Sequence, residues 1–254
     1  MTASREPGGA SRRTLLRLGP VALLTWLCSR RALAEPLQSE VFTGLRAMSE
    51  LALGLRRGEL SPVQWQDEME QLVAGLDLAE AHRALDLPRV AEALAPLPDD
   101  RPRVRELGFE ALDEALREAG VRTRLFALGP GRAIVPHAHH GMVSMHWVLH
   151  GALHGRHFDR LEQSRTHVVM RPTIDAVLRP GAATSISDER DNIHWFVAVE
   201  GPAFTLDVIV SHLRPDGAHG RVYLDPDAAV PQGGDRLRVP IIAPAEARRR
   251  YGRA

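Results

Sequence analysis

Lysine is missing from this chain of 254 residues, and all 32 of its basic residues are arginine. Biased codon usage in a GC-rich genome accounts for that, and no mechanism follows from it. Cysteine is nearly as scarce. The single one, Cys28, lies close to the amino terminus, so the chain beyond residue 34 has neither a thiol nor a disulfide. A net charge of either sign is also lacking, with 32 basic against 32 acidic residues. Residues 1–34 hold six arginines and one acid, which leaves 26 basic and 31 acidic residues in the remainder, about −5. That balance gives no basic footprint for nucleic acid. Long apolar runs are missing as well. The stretch Leu18 to Leu27 is about ten residues long, half of the roughly twenty that a spanning helix needs.

What the amino terminus does contain is a targeting pattern. Ser11-Arg12-Arg13-Thr14-Leu15-Leu16-Arg17 resembles the twin-arginine export signal; the apolar stretch follows it, and Ala32-Leu33-Ala34 offers a small-residue cleavage site. Residues 1–34 are therefore expected to be a signal peptide read by the twin-arginine translocation machinery. The mature protein would be periplasmic or secreted, without a stable membrane anchor. A disordered basic arm is the plainer alternative. Trp26-Leu27 before Cys28 fits a lipoprotein attachment box poorly, because the position before that cysteine is normally small. Twin-arginine export carries proteins already folded, often with a cofactor in place.

From residue 35 to 120 apolar residues recur at helical spacing, as in Leu45, Met48, Leu51 and Leu55, and again in Leu107, Leu112 and Leu116. Ser61-Pro62 is a helix start, serine capping and proline in the first turn. Gly58 and Gly120 are plausible stops, and Pro88, Pro96, Pro98 and Pro102 break the middle into short pieces. Trp65 and Met69, four apart, read as a buried helix face rather than a binding groove. The segment is expected to be a helical cap.

After Gly120 the pattern changes to short apolar runs set off by glycine and proline: residues 121–128, 144–149, 167–170, 193–199, 204–210 and 222–224. The expected fold is mainly β, a cupin-type double-stranded jelly-roll barrel over residues 121–245, preceded by the α-helical segment. Arg248-Arg249-Arg250 is expected to lie in a solvated basic tail, residues 246–254.

His137 and His139 carry the chemistry. In a strand, residues i and i+2 share a face, so both can aim into one barrel. A third ligand must come from another strand, and His194, opening the run Trp195-Phe196-Val197, is placed to supply it. Gly131 and Gly151 stand where the cupin pattern wants tight turns, and Pro180-Gly181 supplies a turn ahead of His194. The usual first cupin motif also carries a glutamate ligand, and Ser144 stands at that position. That leaves a neutral three-histidine face whose metal charge a substrate thiolate could balance, unlike the histidine and carboxylate triad of many iron(II) oxygenases. The chain has 12 histidines, and His146, His150, His154, His157 and His167 read as strand or surface residues rather than ligands. His140 has the wrong parity to share a face with His137.

These residues carry a resemblance. Pro136-His137-Ala138-His139-His140-Gly141-Met142, Val148-Leu149-His150-Gly151, Phe158-Asp159, Asn192-Ile193-His194 with Phe196 and Ala198, Leu206-Asp207-Val208, and Gly220-Arg221 follow one another in order. Over residues 121–224 they resemble the 2-aminoethanethiol dioxygenase and plant cysteine oxidase family. The resemblance implies a mononuclear iron(II) thiol dioxygenase with His137, His139 and His194 as ligands. It would convert a small aminothiol, or the thiol of a Cys-initiated peptide, with O2 to the sulfinic acid. Binding to the metal would favour the thiolate, so no strong protein base is needed. Asp207 matches a family acid that orients substrate or a ligand, although a strand-end residue bonded to backbone is an equal reading. A monomer is expected by the same resemblance.

The departures concern the substrate side. Ser211-His212-Leu213 replaces the family's Pro-Pro-Tyr, and Val222-Tyr223-Leu224-Asp225 lacks its cysteine, so a cysteine to tyrosine crosslink is impossible in the mature chain. Ala138 and His140 replace the aspartate and proline of the first motif. Tyr223, or else His212, would have to take over the polar role. Two alternatives follow: a metal-binding cupin that holds zinc or nickel and binds a ligand without oxidising it, or a cupin dioxygenase of a carbon substrate.

Overall fold

The computed structural model describes residues 40–97, 101–107, 120–214, 216–217 and 219–253. The arginine pair, the apolar run and the cleavage site of the amino terminus lie outside the described residues, as do Leu112 and Leu116.

Among the described residues four helices come first: α1 Glu40–Arg56, α2 Pro62–Ala74, α3 Leu78–Ala84 and α4 Leu87–Leu94. Ser61 caps α2 as its sequence suggests. Its Oγ accepts from Gln64 N at 3.2 Å while the Gln64 side chain accepts from Ser61 N at 2.9 Å, satisfying two donors that a helix start leaves free. Trp65, Met69 and Val73 then fall on one stripe and are buried. No helix among the described residues is long and apolar enough to cross a membrane.

The strands are β1 Arg103–Glu106, β2 Val121–Leu128, β3 Ala133–His140, β4 Met142–Gln163, β5 His167–Leu178, β6 Ala183–Ile186, β7 Ile193–Ser211, β8 Gly220–Leu224, β9 Val230–Pro231 and β10 Leu237–Ile242. They pair in the order β1-β2-β7-β3-β8-β10-β5-β4-β6, and a further β7–β4 ladder closes β7-β3-β8-β10-β5-β4 into a barrel. This is the jelly roll of the cupin fold. The long strands β4 and β7 serve both walls: residues 142–148 pair with 205–211, and residues 153–158 with 193–198. Between these stretches the register shifts, and β4 turns at Gly151. There φ is +70°, and a Cβ would stand 2.4 Å from the Pro202 carbonyl oxygen, so only glycine fits.

Alternation along β4 and β7 sorts their side chains. Val143, Met145, Trp147, Leu206, Val208 and Val210 face outward into one core cluster with Trp65, Met69 and the other helix residues. Ser144, His146, Asp207 and Ile209 face inward. The helical layer therefore covers the back of a sheet, and none of its residues lines the cavity in front.

Two expectations are corrected. The stretch around Leu107 is not helical: Arg103–Glu106 is an edge strand on β2, with Val104 opposite Phe126. Its alternating Arg-Val-Arg-Glu offers no apolar stripe for a helix, whereas the open edge of β2 satisfies its backbone. The carboxyl terminus is not a free tail either. Pro244–Tyr251 forms a helix, α5, whose Ala247 and Tyr251, four apart, are buried against Val135 and Ile242. Tyr251 hydroxyl donates to Asp225, and Arg250 bonds the same carboxylate at 2.5 Å.

Candidate metal centre

Strand β7 runs beside β3, with His137 opposite His194, and on its other side beside β4, with His157 opposite His194. One histidine of β7 thereby meets two of β3. The ring centroids of His137 lie 4.5 Å from His139 and 4.2 Å from His194, and those of His139 and His194 lie 5.3 Å apart. Each offers one ring nitrogen, all within 4.8 Å of one another, and no carboxylate joins the group among the described residues.

The donor set fits a metal. His137 Nδ1 lies 2.8 Å from the Val135 carbonyl oxygen, which can only accept, so the proton sits on Nδ1 and Nε2 keeps its lone pair. His137 Nε2 and His139 Nε2 are 2.8 Å apart. Two imidazole nitrogens at about 2.1 Å from one ion and at a right angle would stand roughly 3 Å apart. His194 Nδ1 is buried without a hydrogen-bond partner. All three rings are held neutral, as ligands must be. Burial pushes His137 down to about 3, with the charge of Arg221 adding to it, and burial followed by neighbouring positive charge lowers His139 and His194 well below the usual histidine range.

The backbone behind the ligands is clamped. The His139 carbonyl accepts from Asn192 Nδ2 at 3.0 Å and from Arg160 at 3.0 Å, and Asn192 also donates to the Ser187 carbonyl at 2.8 Å. The asparagine that precedes His194 in the sequence motif thus ties the end of β3 to the start of β7.

A cavity of about 560 Å³ ends on the three histidines. Tyr223 lines it and stacks on His137 at 5.9 Å between centroids. Asp207 lies at its inner wall, buried, and is bonded to side chains rather than to backbone: its carboxylate accepts from Thr205 Oγ1 at 2.7 Å and from His146 Nδ1 at 2.7 Å. Ser144, at the position of the cupin glutamate, is buried beside them with its hydroxyl unpartnered. His212 is not brought in; it meets His219 at 4.9 Å, outside the cavity lining. His140 stands apart from the cluster and bonds Arg160.

Two histidines that sequence reasoning treated as surplus belong to the surroundings of the site. His146 is buried, with its ring 5.3 Å from His194, and His157 is fully buried, 6.1 Å from the same ring. The parity of His146 with Ser144 was the available signal; that Asp207 would face it was not visible without the sheet.

Fold and site together define a cupin barrel with a three-histidine centre suited to a metal ion. Comparison with known proteins narrows the class. Residues 116–216 match the family model described as PCO_ADO. The chain is similar to human 2-aminoethanethiol dioxygenase, 30% identical over 161 residues, covering 53% of this chain and 57% of that protein. It thus spans a little over half of that relative's length. Among solved structures, an oxalate oxidase is 21% identical with a TM-score of 0.37, covering 50% of this chain and 57% of that one. A cupin superfamily protein from Desulfitobacterium hafniense is 13% identical with a TM-score of 0.31, covering 47% and 85%.

Proposed function

We propose that this protein is an iron-dependent thiol dioxygenase that converts a small thiol to its sulfinic acid. The observation that carries this reading is the all-histidine cluster at the end of the cavity, inside the segment that matches PCO_ADO. In R–SH + O2 → R–SO2H, sulfur loses four electrons and dioxygen, which takes them up, is the only oxidant needed. An iron(II) ion held by His137, His139 and His194 would supply the redox chemistry and favour the thiolate.

The chain's own residues do the rest. Three neutral imidazoles contribute no negative charge, so an anionic sulfur is the natural counter-charge. Asp207 holds His146 in one orientation on the inner wall, and Tyr223, which lines the cavity and stacks on His137, would take over the polar role that the absent family tyrosine and cysteine leave open. Ile134, Val135, Met142 and Ile209 offer apolar wall to the substrate's carbon chain.

Aerobic incubation of iron-loaded protein with cysteamine, cysteine, 3-mercaptopropionate and a Cys-initiated peptide should give a product heavier by two oxygen atoms. No such product from any thiol would overturn the assignment. Zinc or nickel in protein purified from its own host, in place of iron, would favour a non-oxidising cupin.

We also infer that residues 1–34 direct export by the twin-arginine route. Replacing Arg12 and Arg13 together by lysine should then leave the protein in the cytoplasmic fraction.

A further inference from the structure

Among the described residues, the lining of the cavity holds more basic than acidic side chains. The charged residues lining the cavity are Arg101, Arg124, Arg221 and Arg248 against Glu106 and Asp207. Both carboxylates are engaged: Glu106 accepts from Arg124 Nε at 2.7 Å, and Asp207 is held by His146 and Thr205. Arg101, Arg221 and Arg248 have no carboxylate partner among the described residues. Here the segment before β1, strand β8 and helix α5, distant in sequence, bring to one cavity arginines that no carboxylate among the described residues pairs.

Arg221 stands closest to the chemistry. In the β3–β8 ladder it is the register partner of His139, as Tyr223 is of His137. Residues directly opposite in an antiparallel pair project from the same face with Cβ atoms about 5 Å apart. Its guanidinium therefore rises beside a candidate ligand, on the cavity side, and its charge is felt at both His137 and His139. A guanidinium presents a planar fork that matches a carboxylate with two parallel hydrogen bonds. An ammonium group at the same place would meet like charge, and the two carboxylates among the described lining residues are already engaged.

We propose that the substrate is a thiol carrying a carboxylate a short carbon chain away from sulfur, with Arg221 binding that carboxylate and Arg101 and Arg248 drawing the anion in. This rests on the thiol dioxygenase reading and sharpens it, because it favours a mercaptocarboxylate over a simple aminothiol. With sulfur at the three-histidine cluster, the carboxylate falls toward β8, and the intervening methylenes lie on the apolar wall.

Two measurements test it. Under argon, calorimetric titration of the iron-loaded protein should show 3-mercaptopropionate binding at least tenfold more tightly than cysteamine. In air, Arg221→Gln should lower the ratio of kcat/KM for 3-mercaptopropionate to that for cysteamine at least tenfold, acting mainly through KM, and Arg221→Lys should recover part of it. Cysteamine binding as tightly as 3-mercaptopropionate, or a ratio that Arg221→Gln leaves unaltered, would overturn the proposal. If no thiol is oxidised, the dioxygenase reading falls, while the binding preference measured without oxygen still decides the anion site.

Discussion

His146 and Asp207 face each other across the β4–β7 ladder, with Nδ1 of the imidazole 2.7 Å from the carboxylate, and both are buried. Thr205 bonds the second carboxylate oxygen at 2.7 Å. The carboxylate thereby fixes the His146 ring, whose Nε2 has no partner and whose face lies near His194.

Because groups that orient the surroundings of a metal centre typically matter by about 10–100-fold, Asp207→Asn should lower kcat by that order while the protein still binds one metal per chain. His146→Leu should give a similar loss with metal retained. Metal content by elemental analysis and oxygen uptake on the same samples separate the two effects. Unaltered turnover in both variants would leave the pair a structural contact only.

The three clustered histidines should behave differently from their neighbours. Replacing His137, His139 or His194 by alanine should abolish stoichiometric metal binding, since two imidazoles alone make a poor site. His157→Phe should retain it. Loss of metal from the His157 variant with retention in the His194 variant would show that the third ligand had been assigned to the wrong strand.

Acid should destabilise the metal-free protein in a defined window. Burial, then the charge of His146, lowers His157 to about 3, against roughly 6.5 in an unfolded chain. Between these values the unfolded chain binds the extra proton, so stability is complete above about 6.5 and falls as pH drops toward 3, by up to about 1.4 kcal/mol per pH unit for one such group. Urea unfolding at pH 7.5, 6.0 and 4.5 should show this slope, and His157→Phe should flatten it. Equal slopes in both proteins would remove His157 as its source.

The helical layer should matter for stability and little for metal. Trp65 is fully buried in the core cluster that includes Met145 and Trp147. Trp65→Ala should cost about 3–5 kcal/mol, read by chemical denaturation, with metal content per folded molecule preserved. A loss of metal from protein that remains folded would show that α2 supports the site more directly.

Much of this was legible because it is local. The period of two along β3 put His137 and His139 on one face, and the serine, proline and apolar stripe of α2 announced its start and its buried side. The failures are local signals that were weak or masked. Arg103–Glu106 has no apolar pattern of its own and is a strand because β2 has an open edge to pair. In α5 the run of three arginines hid the spacing of Ala247 and Tyr251.

The sequence by itself determined the fold class, the change from helical to β pattern apart from Arg103–Glu106 and the helix Pro244–Tyr251, and three histidines of suitable parity. Which strands become neighbours was decided only in three dimensions, because pairing between β3, β7 and β8 joins residues as far apart in sequence as His137 and Tyr223, which is its register partner and stacks on it at 5.9 Å between ring centroids. Closure of the barrel set His194 against His137, turned Asp207 toward His146, and gathered Arg101, Arg221 and Arg248 at one cavity. No short-range pattern encodes such convergence, since it depends on the register of a closed sheet.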